Sequence, residues 1–380
     1  MVKNDAYQWP ENFSFSVLKV SGLETADVLR KLAAVLSRST GAKVHLAHAA
    51  SKSDKFKWVH YGLADVVDGG DMDFRQMLEG DKLYRNRETG AFPVRLVWVL
   101  SKYDSGFIVR GDSRIKDVHD IKPGVRVVDM SYFASQKVVE ALLAWAGIKD
   151  LEKDVKWVKA TSTEHKAQLI VDGEADVAFA VPTGEITEKA DKNPHGLRWL
   201  DLNPDKDSEG EKRFREKSPV YPEYFGPMFR GVQSCRGHWG LVGADQLCCR
   251  ENASTGLIYH LVKWIDDNYP KFKDLHPWLE QMTRQNIMEK LDHTFLPAHE
   301  GLIKYLKELG LWSEAHEARQ KQNTGLVSRW CEARQKAMWL ADEKGVVVSG
   351  ENPEWAELWE NYKKELGLPV FDLLPSLHKA

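Results

Sequence analysis

Residues 106–147 read GFIVRGDSRIKDVHDIKPGVRVVDMSYFASQKVVEALLAWAG. A short apolar strand, Phe107–Arg110, opens the stretch. A helical segment is expected over Ser113–Asp120, then a turn at Lys122-Pro123-Gly124. A second strand, Val125–Asp129, runs into the loop Met130–Ala134. A helix of about Ser135–Trp145 follows and stops at Gly147. A strand, a polar loop and a helix start make an anion site, because the first N–H groups of a helix lack internal partners and the dipole favours negative charge there. Ser131, Tyr132 and Ser135 would add hydroxyls. An ordinary βα turn capped by Ser131 or Ser135 gives the same pattern.

Outward to the N-terminus, Phe13–Val20 alternates as a strand, and Ala26–Ser39 carries Val28, Leu29, Leu32, Val35 and Leu36 on one helical face. Val44–His48 is a strand, Ala49–Ser53 enters a short helix, and Ala64–Val67 is a strand ending in the loop Asp68-Gly69-Gly70-Asp71. This β-α-β-α-β order opens a parallel sheet, whose ligands sit at the carboxyl ends of its strands. Those ends are Ser21–Thr25, His48–Lys52 and Asp68–Asp71. Val94–Leu100 is a strand buried on both faces, and Asp104-Ser105-Gly106 is read as a turn. A second lobe starts near Val118. Its strands are Val125–Asp129, Val155–Lys159, Asp176–Ala180 and Leu197–Leu202, and its helices are Ser135–Trp145, Thr163–Val171 and Gly184–Ala190. Pro182-Thr183-Gly184 is a strand-end loop aimed at the same mouth as Ser131–Ser135.

Three motifs in order carry a resemblance. SGFIVRGDSRIKDVHDIKPGVRVVDMSYFASQKVVEALLAWAGI, DGEADVAFAVPTG (172–184) and FLPAHEGLIKYLKELGLW (295–312) are similar to the signature segments of the TAXI solute receptors of TRAP transporters. The resemblance spans roughly residues 13–312. The family's first loop, usually Gly-Gly-x-Tyr-Tyr, is here Gly22, Leu23, Glu24, Thr25 and Ala26, so an aromatic wall is missing and a carboxylate is added. Ligand identity therefore does not carry over. The resemblance implies an exported receptor that hands its ligand to TRAP membrane subunits.

Composition excludes other classes. The chain has 380 residues, 43% hydrophobic and 10% aromatic, with a net charge of −3. That suffices for two domains, and the charge argues against nucleic acid. No apolar run approaches the roughly 18 residues of a membrane span. The start, MVKNDAYQWPENF, has no apolar h-region, which by itself points to cytoplasm; with the resemblance, a mature periplasmic form with an added Met1 is expected. Cys235, Cys248, Cys249 and Cys331 define no disulfide framework; Cys235 facing Cys248 across a hairpin and buried free thiols both fit. His299-Glu300 lacks the second histidine of a zinc HExxH motif, because position 303 is Ile303. No GxSxG elbow, phosphate loop or GxGxxG turn is present. No metal and no cofactor are expected.

The C-terminal half reads as a charged surface segment at 203–218, an aromatic connector at 219–233 and a turn at Gly237–Gly240. The strand Leu241–Arg250 and helices over Thr255–Asn268, Pro277–Lys290 and Ala298–Leu309 follow. Residues 313–380 lie beyond the resemblance and read as two helices, Glu314–Lys344 and Pro353–Glu365.

The expectation is an α/β, two-lobe, periplasmic binding protein-like (type II) fold with a central ligand cleft and an extra helical C-terminal tail. Lobe I is 1–117 with 223–312, lobe II is 118–222, and 313–380 packs on lobe I. A small organic acid, carboxylate or amino-acid-like, would meet Ser131, Ser135, Thr183 and Gly184 on one side and Glu24, Thr25, His48, Ser51 and Lys52 on the other. Tyr132, Phe133, Tyr224 and Trp239 would line the apolar part. A cleft enzyme using Glu24 and His48, and an interaction protein using the C-terminal helices, are the alternative classes.

Overall fold

The computed structural model describes residues 7–19, 24–129, 136–374 and 376–377. The chain runs β1 (Asn12–Leu18), α1 (Glu24–Thr40), β2 (Lys43–Ala49), α2 (Lys52–His60), β3 (Val66–Gly70), α3 (Asp71–Glu79) and β4 (Val94–Arg110). Next come β5 (Val125–Asp129), α4 (Gln136–Trp145), α5 (Leu151–Asp154), β6 (Val155–Lys159), α6 (Thr163–Val171), β7 (Ala178–Ala180), α7 (Glu185–Asp191) and β8 (Leu197–Trp199). Then follow α8 (Ser208–Lys217), β9 (Tyr224–Pro227), β10 (Trp239–Arg250), α9 (Thr255–Phe272), α10 (Arg284–His293), α11 (Glu300–Glu308), α12 (Glu314–Glu343) and α13 (Pro353–Leu366). Two compact units form: residues 1–19, 25–101 and 245–380, and residues 20–24 and 102–244.

In the first unit the sheet order is β2-β1-β3-β10-β4. β1 pairs parallel with β2 and with β3, as the β-α-β-α-β reading requires, and β10 pairs antiparallel with β3. Every residue of the apolar run Val94–Leu100 is buried. The close approach of α11 to α9 needs Gly301, where a Cβ would stand 2.5 Å from the Tyr259 backbone nitrogen. In the second unit β5 and β6 are parallel, β7 and β8 pair antiparallel with β4, and β9 pairs with β10.

Several expected boundaries move. The turn at Asp104–Gly106 does not exist: β4 runs unbroken to Arg110. Its polar residues are satisfied at a distance, Asp104 Oδ2 accepting from the Phe229 and Arg230 backbones at 3.2 Å each and Ser105 bonding the Tyr221 hydroxyl. The helix over Ser113–Asp120 shrinks to a 3-10 turn at Val118–Asp120, capped by Asp117, because acidic side chains next to free N–H groups favour local turns. The loop Asp68–Asp71 is instead the end of β3 and the start of α3. Helix α2 runs on to His60 from its Ser51 cap. Glu24 and Thr25 are the first turn of α1 rather than a loop. The helix expected from Pro277 starts at Arg284, where Thr283 caps it by accepting from the Asn286 N–H at 3.1 Å. Of the two readings of Cys235 and Cys248, buried free thiols is the one found: both are buried and free.

The C-terminal helices are built into the first unit. Trp355 and Trp359 are fully buried, and their indole N–H groups donate to the carbonyls of Arg85 at 2.7 Å and Glu79 at 3.1 Å. The buried Arg334 guanidinium lies over both rings, at 4.7 and 5.4 Å from their centroids. It also donates to the Asn86 carbonyl at 2.9 Å, and burial pushes it down to about 10. From α12, Gln320 exchanges two hydrogen bonds with the Ala298 backbone, at 2.8 and 2.9 Å. Removing 313–380 would expose this surface, so the truncated chain should lose its cooperative thermal transition. Trp359→Ala should cost about 3–5 kcal/mol through its cavity. A truncated chain melting like the full protein in calorimetry would show that the extension is dispensable.

Candidate functional site

Two strand edges carry the candidate groups, one in each unit. In the first unit the parallel strands β1, β2 and β3 place their carboxyl ends together, where ligands of α/β sheets bind. A charged network occupies that edge. Lys55 Nζ meets Asp68 Oδ2 at 2.9 Å, and Lys52 Nζ meets Asp73 Oδ1 at 2.5 Å. Deeper, Lys290 Nζ meets Asp71 Oδ2 at 2.5 Å, and Gln246 donates to Asp71 Oδ1 at 3.0 Å. Asp245 stands in β10 opposite Gly70. Burial, then the charges of Asp68 and Asp73, raise its carboxyl to about 7, against the pull of Lys55 and Lys52. Three carboxylates thus share two ammonium groups, and the set is neutral when Asp245 holds a proton.

Among the residues expected here, Lys52 joins the network. Ser51 caps α2, accepting from the Asp54 N–H at 3.1 Å. Thr25 is buried in α1. His48 lies exposed on β2.

In the second unit β5 and β6 pair in register from Val125↔Val155 to Asp129↔Lys159. A parallel bridge, Val127↔Val177, brings in the segment leading to β7. Three strand ends therefore meet at one edge: the ends of β5, of β6 at Ala160–Ser162, and of β7 at Val181–Gly184. The last loop is held in place. Thr187 Oγ1 donates to the Val181 carbonyl at 2.9 Å, and the Val232 N–H donates to the Pro182 carbonyl at 2.9 Å. Thr183 Oγ1 donates to Glu24 Oε2 at 3.3 Å. Gly184 caps α7 at φ +94°, where an L side chain is strained. Glu24, Thr183 and Gly184 are thus brought together.

Ser162 caps α6, accepting from the His165 N–H at 3.0 Å. Lys166 is the fourth residue of that helix, and helical side chains lean toward the N-terminus, here toward the strand ends. It is half-buried. Burial alone lowers its ammonium to about 8, and no carboxylate among the described residues offsets this. Tyr224, on β9, is half exposed. Trp239 opens β10; its N–H donates to Asp201 Oδ1 at 2.7 Å, and its carbonyl accepts from Leu202 at 2.9 Å. Ser131, Tyr132, Phe133 and Ser135 lie outside the described residues.

Sequence reading missed Lys166 and Asp245. Each left a signal: a lysine four residues after a capping serine, and an acid inside the apolar strand GLVGADQLCC. Among the described residues no cluster of His, Cys, Asp and Glu could hold a metal ion, and no helix is long and apolar enough to cross a membrane.

The fold is α/β, in two compact units. The NMT1-like family matches residues 73–310, and the chain belongs to that family. No curated protein matches the sequence. Among solved structures, the periplasmic binding protein BugD aligns at 14% identity over 85% of this chain and 98% of its own, with a TM-score of 0.49. A binding component of an ABC phosphonate transporter from Pseudomonas aeruginosa aligns at 13% identity over 86% of this chain and 98% of its own, TM-score 0.44. The periplasmic aliphatic sulphonate binding protein SsuA from Escherichia coli aligns at 14% identity over 96% of this chain and 91% of its own, TM-score 0.39.

The Asp245 carboxyl predicts a pH dependence of stability. Its value is about 7 in the fold against an ordinary 3.8. Between those values the folded chain holds a proton that the unfolded chain has released, so stability falls as pH rises from about 4 to 7 and then levels. Asp245→Asn should flatten this slope and stabilise the protein above neutrality. Urea midpoints at pH 5 and pH 8 test it; an unchanged slope in the variant would assign the effect to other groups.

Proposed function

We propose that this chain is an extracytoplasmic solute-binding protein that captures a small organic acid and delivers it to a membrane transporter. The observation that carries the reading is Lys166: a half-buried ammonium, lowered by burial, with no carboxylate among the described residues to balance it, beside three converging strand ends. A buried charge without a partner is costly, and an anionic ligand relieves that cost. Membership of the NMT1-like family and the periplasmic binding proteins among the structural neighbours support the solute-binding role. The finer reading, a periplasmic receptor serving TRAP-type membrane subunits, rests on the three sequence motifs.

In this reading Lys166 takes the carboxylate, with Thr183 and Gly184 beside it and Ser131 and Ser135 contributing hydroxyls. Glu24 selects for a second, hydrogen-bond-donating group such as an amine or hydroxyl. Thr25, His48, Ser51 and Lys52, in the first unit, are further candidates that the sequence motifs alone suggest. Tyr132, Phe133, Tyr224 and Trp239 supply apolar lining. Ligand binding shifts a protein between arrangements only by favouring one of them.

Native mass spectrometry of the purified protein, before and after denaturation and refolding, tests the role directly. A small acid released on denaturation is the expected result. An apoprotein that no carboxylate stabilises in a thermal-shift screen would overturn the proposal. With a carboxylate in hand, Lys166→Gln should weaken binding about tenfold or more. Wild-type affinity should decline as pH rises past about 8, because the free protein then loses the ammonium proton. Lys166→Arg should abolish that decline. Calorimetric titration from pH 6 to 10 measures both effects; a Lys166→Gln variant with native affinity would place the anion elsewhere.

A further inference from the structure

We propose that an open cationic groove at the opposite edge of the second unit's sheet docks an acidic segment of a partner protein. The inference is independent of the solute reading. The groove has a volume of about 500 Å³ and is lined by Arg110, Arg114, Lys122 and Arg126, with Asp112 and Asp176. It lies at the amino end of β5, whereas the solute edge lies at its carboxyl end. Arg110 closes β4, Lys122 leads into β5, and Asp176 precedes β7.

Two of the four cations are fixed by the two acids. Asp176 takes Arg126 through both carboxylate oxygens, at 3.2 Å from Nε and 2.5 Å from Nη2, while Nη1 donates to the Gly173 carbonyl at 2.7 Å. Asp112 takes Arg110 at 2.6 and 3.3 Å and also faces His195 Nδ1 at 3.2 Å. The Arg110 guanidinium lies over Gly173, where a Cβ would come within 2.8 Å of Nη1.

The other two cations are exposed, and neither forms an ion pair with a described residue. Asp120 acts on Lys122 only through its field, since that carboxylate already accepts from the Lys116 and Asp117 N–H groups at 2.8 and 3.0 Å. The backbone around Arg114 is held by Arg198, whose Nη1 donates to the carbonyls of Ser113 and Ile115 at 3.1 and 3.3 Å. Among the lining residues four cations stand against two carboxylates, with Asp120 acting on Lys122 from outside, so the lining is complementary to further negative charge.

The groove's form decides the class of occupant. Pockets that hold small molecules bury most of the ligand and are mainly apolar. This groove is more open than enclosed, and six of its thirteen lining residues are charged. An extended Asp/Glu-bearing segment, anchored by its own protein outside the groove, matches that form. Rim charges of this kind set association rate and partner choice.

The test uses the full chain and a fluorescein-labelled hexaglutamate peptide, titrated by anisotropy at low salt. Saturable binding is expected, weakened tenfold or more in R114E/K122E and unchanged in K336E/K344E, which alters net charge equally at two exposed positions outside the groove. R114A/K122A, with folding checked by circular dichroism, serves if the reversal variant does not fold, and it too should weaken binding. Three results would each overturn the proposal: no saturable binding, equal weakening in both reversal variants, or free citrate displacing the peptide as effectively as unlabelled hexaglutamate. The last would assign the groove to small anions.

Discussion

The first unit depends on the pairing of three aspartates at the β3–α3 corner with three lysines from other elements. Asp68, Asp71 and Asp73 meet Lys55, Lys290 and Lys52. Lys290 and Asp71 have side chains only 1% and 2% exposed, and burying either alone would leave an uncompensated charge costing several kcal/mol. The pairs therefore act as a condition on assembly: α2, α3, β3, β10 and α10 must all be in place before the charges can be buried. Such pairs add little net stability over an apolar core, but removing one partner is strongly unfavourable. They also fix where β3 ends and α3 begins, and so what the strand edge presents.

The two edges differ in how their charge is balanced. In the first unit balance comes from within, and Asp245 adjusts it by holding or releasing a proton. In the second, Lys166 is left without a carboxylate among the described residues. The proposed anion binding uses that imbalance: a site neutralised by its own side chains offers an anion nothing. Glu24 beside Thr183 and Gly184 adds an acceptor at that edge; in the proposed function it selects a ligand with a donor as well as an acid.

The C-terminal extension belongs to the same physical account. Trp355 and Trp359 each bury a ring and satisfy a carbonyl, of Arg85 and of Glu79 at the end of α3, and Arg334 is held by their π faces and by backbone oxygens. Cation–π contact stabilises a buried cation where no carboxylate is near. The loops after α3 thus obtain hydrogen-bond partners from residues some 250 positions later, and the unit's core continues into the extension.

By itself the sequence determined the local elements whose signals are contiguous. Val125–Asp129, Val155–Lys159 and Thr163–Val171 have the expected bounds, because apolar alternation, a capping serine and a closing glycine act within a few residues. It also determined the parallel β-α-β-α-β start. Only the tertiary structure decided that Asp104 and Ser105 continue a strand, since their partners lie at Phe229, Arg230 and Tyr221. It alone decided that Asp71 starts a helix, since its counter-charge is Lys290. The unbalanced Lys166 and the protonatable Asp245 belong to the same class. Local propensity reads polar residues as turns and solvated faces; whether a charge is buried, and by what it is balanced, depends on groups that only folding brings together.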